Sequence, residues 1–150
     1  MRMEAMDPDG LRQVENWLAA DPVGGAIFGD FYAHAVRRWA PLLEAPTRFG
    51  RLVRDDEGPV GFVDLEILDG EAEITFYVAP ERRGQGLGHQ TLALLIQLAR
   101  EQEATSIYAT VEPGDAASLA TMRAAGFTEL GTDPYGDLEL SLDLSQKQVS

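Results

Sequence analysis

The spacing of hydrophobic residues changes along the chain, and each change predicts a helix or a strand. Apolar residues three or four positions apart, the spacing of a helix, run over 11–18 and 27–39, before Pro41. Alternating or short continuous apolar runs, typical of strands, follow and flank two further helical stretches. The predicted helices are 11–18, 27–39, 91–100 and 115–125, and the predicted strands are 49–54, 59–68, 72–77, 106–111, 127–131 and 137–144.

This order of elements predicts one mixed α/β domain. Two helices come first, then three strands, a helix, a strand, a helix and two strands, with a weaker strand signal at 1–5. A chain of 150 residues is long enough to bury one core, and no linker or repeat divides it. We therefore expect a single domain over 1–150, with a frayed tail at about 145–150.

An Asp-Gly dipeptide at 69–70 predicts a two-residue hairpin turn between two of these strands. The turn fixes the register, which places Glu66 opposite Glu73 and Asp64 opposite Thr75 on one face of the sheet. Two like charges at cross-strand distance disfavour joint ionisation. We therefore expect the pKa of one of the two glutamates to be raised, which suits a general base working near neutral pH.

The segment 78–89 combines glycines and arginines between a predicted strand and a predicted helix. Its sequence is VAPERRGQGLGH. Glycines let the backbone approach a ligand closely, and a helix N-terminus directs free N–H groups and a positive dipole end toward an anion. Arg82 and Arg83 add positive charge that suits a pyrophosphate. We therefore expect a phosphate-binding loop here.

Two common phosphate-binding motifs do not fit this loop. A Walker loop ends in Gly-Lys followed by Ser or Thr, and the only lysine of the sequence is Lys147. The dinucleotide fingerprint Gly-x-Gly-x-x-Gly would need its third glycine at a position that holds His89 or Thr91. The sequence therefore excludes both a P-loop nucleotide site and a dinucleotide site at this position.

The pattern that fits the loop is Arg-x-x-Gly-x-Gly, formed by Arg83, Gly86 and Gly88. With the strand before it, the helix after it and a later Gly-Phe pair at 126–127, the chain resembles the GNAT-type N-acetyltransferase superfamily. The resemblance covers about residues 48–143. It implies a three-layer α/β fold with a central mixed β-sheet and helices on both faces.

The resemblance also implies where an acyl donor binds. In a GNAT fold two neighbouring parallel strands splay apart and hold acyl-CoA between them, and here these strands are 74–78 and 106–111. The implied cosubstrate is acetyl-CoA. The residues that the resemblance places against it are Val78, Arg83, Gly84, Gln85, Gly86, Leu87, Gly88, His89 and Asp115.

The reaction implied is direct transfer of the acetyl group to a primary amine. The N–H of Val78 is expected to polarise the thioester carbonyl. Glu73 occupies the position of the base that deprotonates the amine, and Glu66 and Asp64 are second choices. Alternatively, each carboxylate holds a cationic amine electrostatically, or Glu73 is an ordinary solvated side chain. The chain has no cysteine, which is consistent with a ternary complex and not with a thiol-carried acyl group.

One position departs from the family pattern. Relatives often carry a tyrosine four residues before the Gly-Phe pair, where it protonates the leaving thiolate, and this chain has Met122 there. The remaining candidates for the acid are Tyr108, Tyr135, Tyr77 and solvent. This departure leaves a second hypothesis open, in which the domain is a non-catalytic acyl-CoA-binding or regulatory module.

Composition narrows the partners. The net charge of −13 argues against nucleic acid, and two histidines without any cysteine argue against a metal site. No signal peptide or membrane-length apolar run is found in the sequence, so we expect a cytoplasmic protein without membrane contact. We expect the acceptor to be a small polyamine-like or aminoglycoside-like amine, an amino-acid amine, or a protein N-terminus or lysine. A small cationic amine is favoured by the carboxylates of Asp64, Glu66 and Glu73. A homodimer is also compatible with the sequence.

Overall fold

The computed structural model describes residues 1–145, and over these residues the elements follow the predicted order. The helices and strands are β1 (Arg2–Ala5), α1 (Pro8–Ala19), α2 (Pro22–Ala33), α3 (Ala35–Arg38), β2 (Arg48–Asp55), β3 (Gly58–Leu68), β4 (Glu71–Val78), α4 (Leu87–Glu101), β5 (Ser106–Val111), α5 (Ala116–Ala124), β6 (Thr128–Thr132) and β7 (Leu138–Asp143). Short 3-10 helices lie at Ala40–Glu44 and Pro80–Arg82. Apart from Ser145, the predicted tail lies outside the described residues. No helix within 1–145 is long and apolar enough to cross a membrane.

The strands form one mixed sheet in the order β1-β2-β3-β4-β5-β7-β6. Neighbouring strands are antiparallel except for β4 and β5. That parallel ladder joins only 71–73 to 106–108, and beyond it both strands continue without pairing to each other. The predicted splay between 74–78 and 106–111 is therefore confirmed.

The β3–β4 hairpin has the predicted register. Its turn residues Asp69 and Gly70 both have positive φ, 52° and 81°, as a two-residue hairpin turn with right-handed strand twist requires. Glu66 lies opposite Glu73. The two glutamates therefore share a face of the sheet, as the sequence predicted.

Helices cover the two faces of the sheet over separate hydrophobic cores. On one face α4 and α5 pack on a core that includes the fully buried Leu92 and Leu95. On the other face α1, α2 and α3 enclose an aromatic core around Trp39. The consecutive β3 residues Phe62 and Val63 are both fully buried, one in each core, because side chains alternate across a strand. The predicted three-layer architecture is confirmed.

The N-terminal part differs from the prediction at its second helix. The helix predicted over 27–39 is interrupted at Gly29 (φ 60°, ψ −160°) and again at His34 (φ −118°, ψ 47°). These bends turn the aromatic side chains of the segment onto the sheet. The Phe28 ring, for example, lies edge-on to Tyr77 with the ring centroids 5.3 Å apart. Packing against β3 and β4 thus overrides the continuous helix that the spacing favoured.

Gly61 of β3 lies against the backbone of β4 and offers a test of how tightly this hairpin is packed. A Cβ at Gly61 would lie 1.8 Å from the carbonyl oxygen of Tyr77, so the two strands would have to move apart. We expect Gly61→Ala to lower the free energy of unfolding by about 3 kcal/mol, the upper end of ordinary overpacking costs. Urea denaturation measures the change. Gly114→Ala is the control, since a Cβ there meets nothing within 4 Å. Equal stability of the two variants would contradict the prediction.

Candidate active site

The loop between β4 and α4 has a backbone shaped by glycine. Gly84 and Gly86 both have φ of 76°, a left-handed backbone conformation that residues with a Cβ rarely adopt. A Cβ at either position would meet nothing within 4 Å, so the backbone here is open to a ligand. The glycines are required by the backbone conformation and not by crowding from other parts of the protein.

The N-terminus of α4 is unlike that of the other long helices. Asp7, Asp21 and Asp115 accept hydrogen bonds from the first turns of α1, α2 and α5. The N-cap of α4 is Gly86, which has no side chain to make such a bond. The first N–H groups of α4, beginning at Leu87, therefore lack a side-chain cap, and a helix N-terminus in this state binds an anion well. This geometry fits a pyrophosphate.

A cavity of about 420 Å³ opens beside this loop. It extends from the loop to α2 and to the first turns of α5. Of the residues predicted to bind the acyl donor, the cavity is lined by Val78, Arg83, Gly84, Gly86, Leu87, Gly88, His89 and Asp115. Gln85 is exposed and does not line it. The structure thus brings together eight of the nine predicted residues.

Arg83 is held in place by three contacts. Its Nη2 lies 2.9 Å from Oδ2 of Asp21, and its Nε donates to the carbonyl oxygen of Val78 at 3.0 Å. The guanidinium also lies 5.4 Å from the centroid of the Tyr77 ring. Because the side chain is still 45% exposed, its charge reaches the cavity while its position is fixed by β4 and α2.

Arg82 has a different role from the one that the sequence suggested. Its guanidinium is buried, pairs with Asp55 and donates to the carbonyl oxygens of Gly58 and Pro59 at 3.3 and 3.1 Å. These partners lie where β2 ends and β3 begins. The interpretation of Arg82 as a second cation for the pyrophosphate was therefore wrong, and this arginine fastens the loop to the sheet.

Asp21 joins the loop to α2, and sequence reasoning missed it. The carboxylate is buried and accepts hydrogen bonds from the Gly24 N–H at 3.1 Å, the Tyr77 hydroxyl at 2.8 Å and Arg83. Burial pushes the pKa of Asp21 upward, but these hydrogen bonds and the Arg83 charge outweigh it, and the pKa lies below its ordinary value. The Asp-Pro pair at 21–22, typical of a helix start, was the available signal.

The N–H of Val78 points into the splay. Ala79, the next residue, donates its N–H to the carbonyl oxygen of Val60 on β3 at 2.8 Å. Since successive residues of a strand direct their N–H groups to opposite sides, the N–H of Val78 faces away from β3, toward the gap before β5. This orientation suits the predicted donor to a thioester carbonyl.

A second cavity, of about 220 Å³, adjoins the first and is lined by residues of both β4 and β5. Its charged lining residues are Glu73, Glu112, Asp115 and Asp137, and no lysine or arginine lines it in the described part of the chain. Asp115 also lines the first cavity, but there it is accompanied by Arg82, which is paired with Asp55, and by the partly exposed Arg83. The site is therefore polarised, with the charge of Arg83 on the loop side and the carboxylates of Glu73, Glu112 and Asp137 on the other.

The structure separates the three predicted carboxylates. Glu73 is exposed and lines the second cavity, whereas Glu66 does not line it and has the Nη1 atom of Arg48 at 3.8 Å from its Oε2. Asp64 is buried, accepts from Nε of Arg48 at 2.9 Å and from the Tyr32 hydroxyl at 2.7 Å. The hypothesis that Asp64 acts as a base or as an acidic wall was therefore wrong.

None of the three tyrosines proposed as an acid offers a free hydroxyl in either cavity. The Tyr77 hydroxyl donates to Asp21, and Tyr108 and Tyr135 line neither cavity. Burial and the charges of Glu139, Asp133 and Glu73 raise the pKa of Tyr108, which makes it a weaker acid. Met122 is buried and lines the second cavity.

Comparisons with known proteins agree with this geometry. The model of the acetyltransferase (GNAT) family matches residues 11–127. L-methionine sulfoximine/L-methionine sulfone acetyltransferase of Pseudomonas aeruginosa strain PAO1 is 42% identical over 119 residues, 76% of this chain and 67% of that protein.

Two solved structures show the same fold. Ribosomal-protein-alanine N-acetyltransferase from Brucella melitensis has a TM-score of 0.80 at 23% identity, over 96% of this chain and 100% of that one. Spermidine N-acetyltransferase from Vibrio cholerae, in complex with CoA and spermine, has a TM-score of 0.82 at 17% identity, over 96% of this chain and 95% of that one.

The chain therefore belongs to the acetyltransferase (GNAT) family. It is an acyltransferase, and its cosubstrate is acetyl-CoA. The predicted family, fold and enzyme class are confirmed, and the hypothesis of a non-catalytic module is set aside.

The lowered pKa of Asp21 predicts how stability depends on pH. A carboxylate with a lowered folded pKa stabilises the protein above its ordinary value of 3.8, and this stabilisation is lost as the pH falls through the folded value. We expect Asp21→Asn to cost about 1.5–3 kcal/mol at pH 7, the range for hydrogen bonds to a charged group, and to flatten the loss of stability in acid.

Denaturant unfolding of both proteins between pH 7 and pH 2 measures this. Asp9→Asn is the control, because Asp9 is exposed and its one ion pair among residues 1–145 is with the exposed Arg12. An unchanged dependence on pH in Asp21→Asn would show that Asp21 has no lowered pKa.

Proposed function

We propose that this enzyme transfers the acetyl group of acetyl-CoA directly to the primary amine of a small cationic acceptor. The observation that carries the proposal is the meeting of two cavities of opposite polarity at the splay between β4 and β5. One cavity has the uncapped start of α4 and Arg83 for the donor, and the other has carboxylates for an ammonium group.

The donor side supports binding of CoA by its pyrophosphate. The N–H groups at the start of α4 face the anion, and Arg83 adds charge from a fixed position. The pantetheine arm then runs along the splay, where unpaired backbone groups of β4 are available to it. The N–H of Val78 donates to the thioester oxygen and stabilises the negative charge that develops there when the amine attacks.

Glu73 is the proposed base. The ammonium form of the acceptor is not nucleophilic, so one proton must leave nitrogen before attack, and Glu73 is an exposed carboxylate in the second cavity. Glu66, on the opposite strand, adds negative charge that favours a cation nearby. The amine then attacks the carbonyl carbon, the carbon–sulfur bond breaks, nitrogen loses a second proton to solvent, and sulfur gains one.

The charge of the second cavity favours an acceptor without a carboxylate. The Pseudomonas relative is named for methionine sulfoximine and methionine sulfone, α-amino acids that carry a carboxylate beside the amine. Such a group needs a cationic partner, and among the described residues that line the second cavity there is none. A linear diamine presents two cations to these carboxylates and fits the proposed acceptor class better.

Acceptor selectivity tests this proposal. We expect kcat/KM for a linear diamine to exceed that for L-methionine sulfone by at least about tenfold, the effect of about 1.4 kcal/mol of favourable charge interaction. Release of CoA thiol, followed with a thiol reagent, measures the rate. Glu112→Gln removes one negative charge from the second cavity and should reduce the ratio of kcat/KM for the diamine to kcat/KM for L-methionine sulfone. Preference for the amino acid would contradict the proposed acceptor class.

The role of Glu73 is tested by Glu73→Gln, which keeps the size of the side chain and removes the base. We expect kcat/KM to fall by about 100-fold or more, the ordinary contribution of a general base. The affinity for CoA, measured by calorimetry, should not change. Glu66→Gln is the matched control and should have a smaller effect, because Glu66 does not line the cavity. Full activity of Glu73→Gln would exclude Glu73 as the base.

A further inference from the structure

The two cavities share a small set of residues, and these residues surround the place where donor and acceptor meet. The shared residues are Ile27, Phe28, Phe76, Asp115 and Ser118. Three of the five are apolar. Of these five shared residues, only Asp115 and Ser118 have a side chain that can form a hydrogen bond to the reacting atoms.

These two polar side chains differ in what they can donate. Asp115 caps α5 by accepting a hydrogen bond from the N–H of Ser118 at 3.2 Å, and a carboxylate has no proton to donate to a negatively charged sulfur. The Ser118 hydroxyl can donate. It is half-buried and makes no hydrogen bond with another described residue, whereas the hydroxyl of Thr121 on the same helix donates to the Ala117 carbonyl at 2.9 Å.

The other hydroxyl groups near the place where the cavities meet either donate a hydrogen bond to a carboxylate or line one cavity only. Tyr77 donates to Asp21, and Tyr32 donates to Asp64. Thr75 and Thr110 line the second cavity and not the first. Met122, one helical turn after Ser118, has no proton to donate. Among the described residues, Ser118 is therefore the one hydroxyl that lines both cavities.

We propose that Ser118 is a catalytic residue whose hydroxyl donates a hydrogen bond to the sulfur of acetyl-CoA as the carbon–sulfur bond breaks. The inference rests on the direct transfer proposed above, and it deepens that function by assigning a group to the leaving side. A serine hydroxyl is a much weaker acid than a thiol, so it stabilises the thiolate without giving up its own proton. The thiolate then takes a proton from solvent, and Ser118 ends the cycle unchanged.

The titration of bound CoA tests this contact without any acceptor. A hydrogen bond to the thiolate favours the charged form, so the CoA thiol should ionise at lower pH on the wild-type protein than on Ser118→Ala. We expect a difference of about one pH unit, which a hydrogen bond to a charged group supplies. Ultraviolet absorbance of the thiolate, recorded across pH with CoA bound, measures it. Identical titration curves would overturn the proposal.

Steady-state kinetics gives a second readout. Ser118→Ala should lower kcat by about tenfold to a hundredfold, somewhat less than the loss of an oxyanion-hole donor, with KM for acetyl-CoA unchanged. Ser118→Thr keeps the hydroxyl and should retain most of the activity. Ala120→Ser is the control on the same helix, because Ala120 is exposed and lines neither cavity.

Other outcomes separate this proposal from the proposed function. A higher KM for acetyl-CoA in Ser118→Ala, with kcat and the thiol titration unchanged, would mean that Ser118 holds the pantetheine arm and would overturn its assignment to the sulfur. A wild-type protein that acetylates no amine would contradict the proposed function. The thiol titration would still decide whether Ser118 contacts the sulfur.

Discussion

The hydrogen bonds between β4 and β5 stop after 71–73 and 106–108, and the rest of the site depends on where they stop. Beyond this point β4 stays bonded to β3, so its other edge, including the N–H of Val78, faces a gap inside the sheet. Pro80 lacks an N–H and cannot extend the ladder. Unpaired backbone groups inside a protein normally cost free energy, and a ligand that lies in the gap supplies their missing partners. The backbone alone thus makes this opening suitable for a ligand.

The second constraint is the distribution of charge around this gap. The net charge of −13 describes the whole sequence, but among the described residues arginines line the first cavity and not the second, and three carboxylates line the second and not the first. On the donor side Arg83 and the start of α4 are positive, while Glu73, Glu112 and Asp137 make the acceptor side negative. This division of charge supports the proposal of a phosphate-bearing donor on one side of the opening and a cationic acceptor on the other.

Buried hydrogen bonds hold the loop between β4 and α4 in position beside the first cavity. Asp21 caps α2 and also binds the Tyr77 hydroxyl and Arg83, so one carboxylate fixes a helix, a strand and the loop relative to each other. Arg82 joins the same loop to the end of β2 and the start of β3. Because side chains anchor the loop from behind, its glycine backbone and the first turn of α4 remain available to the ligand.

The sequence by itself determined the parts of this protein that depend on residues close together in the chain. These include the strand and helix order, the Asp-Gly turn with its register, the cap at Asp115 and the glycine loop before α4. The tertiary structure alone decided which of two adjacent arginines is buried against Asp55 and which stays partly exposed beside the donor cavity. It also decided that Asp64 is buried against Arg48 and that Ser118 lies where the cavities meet. The reason is the distance in sequence between partners: Tyr77 and Asp21, for example, are 56 residues apart. Periodicity and turn chemistry report neighbours within a few positions, whereas the partner of a buried side chain is chosen only when distant elements pack together.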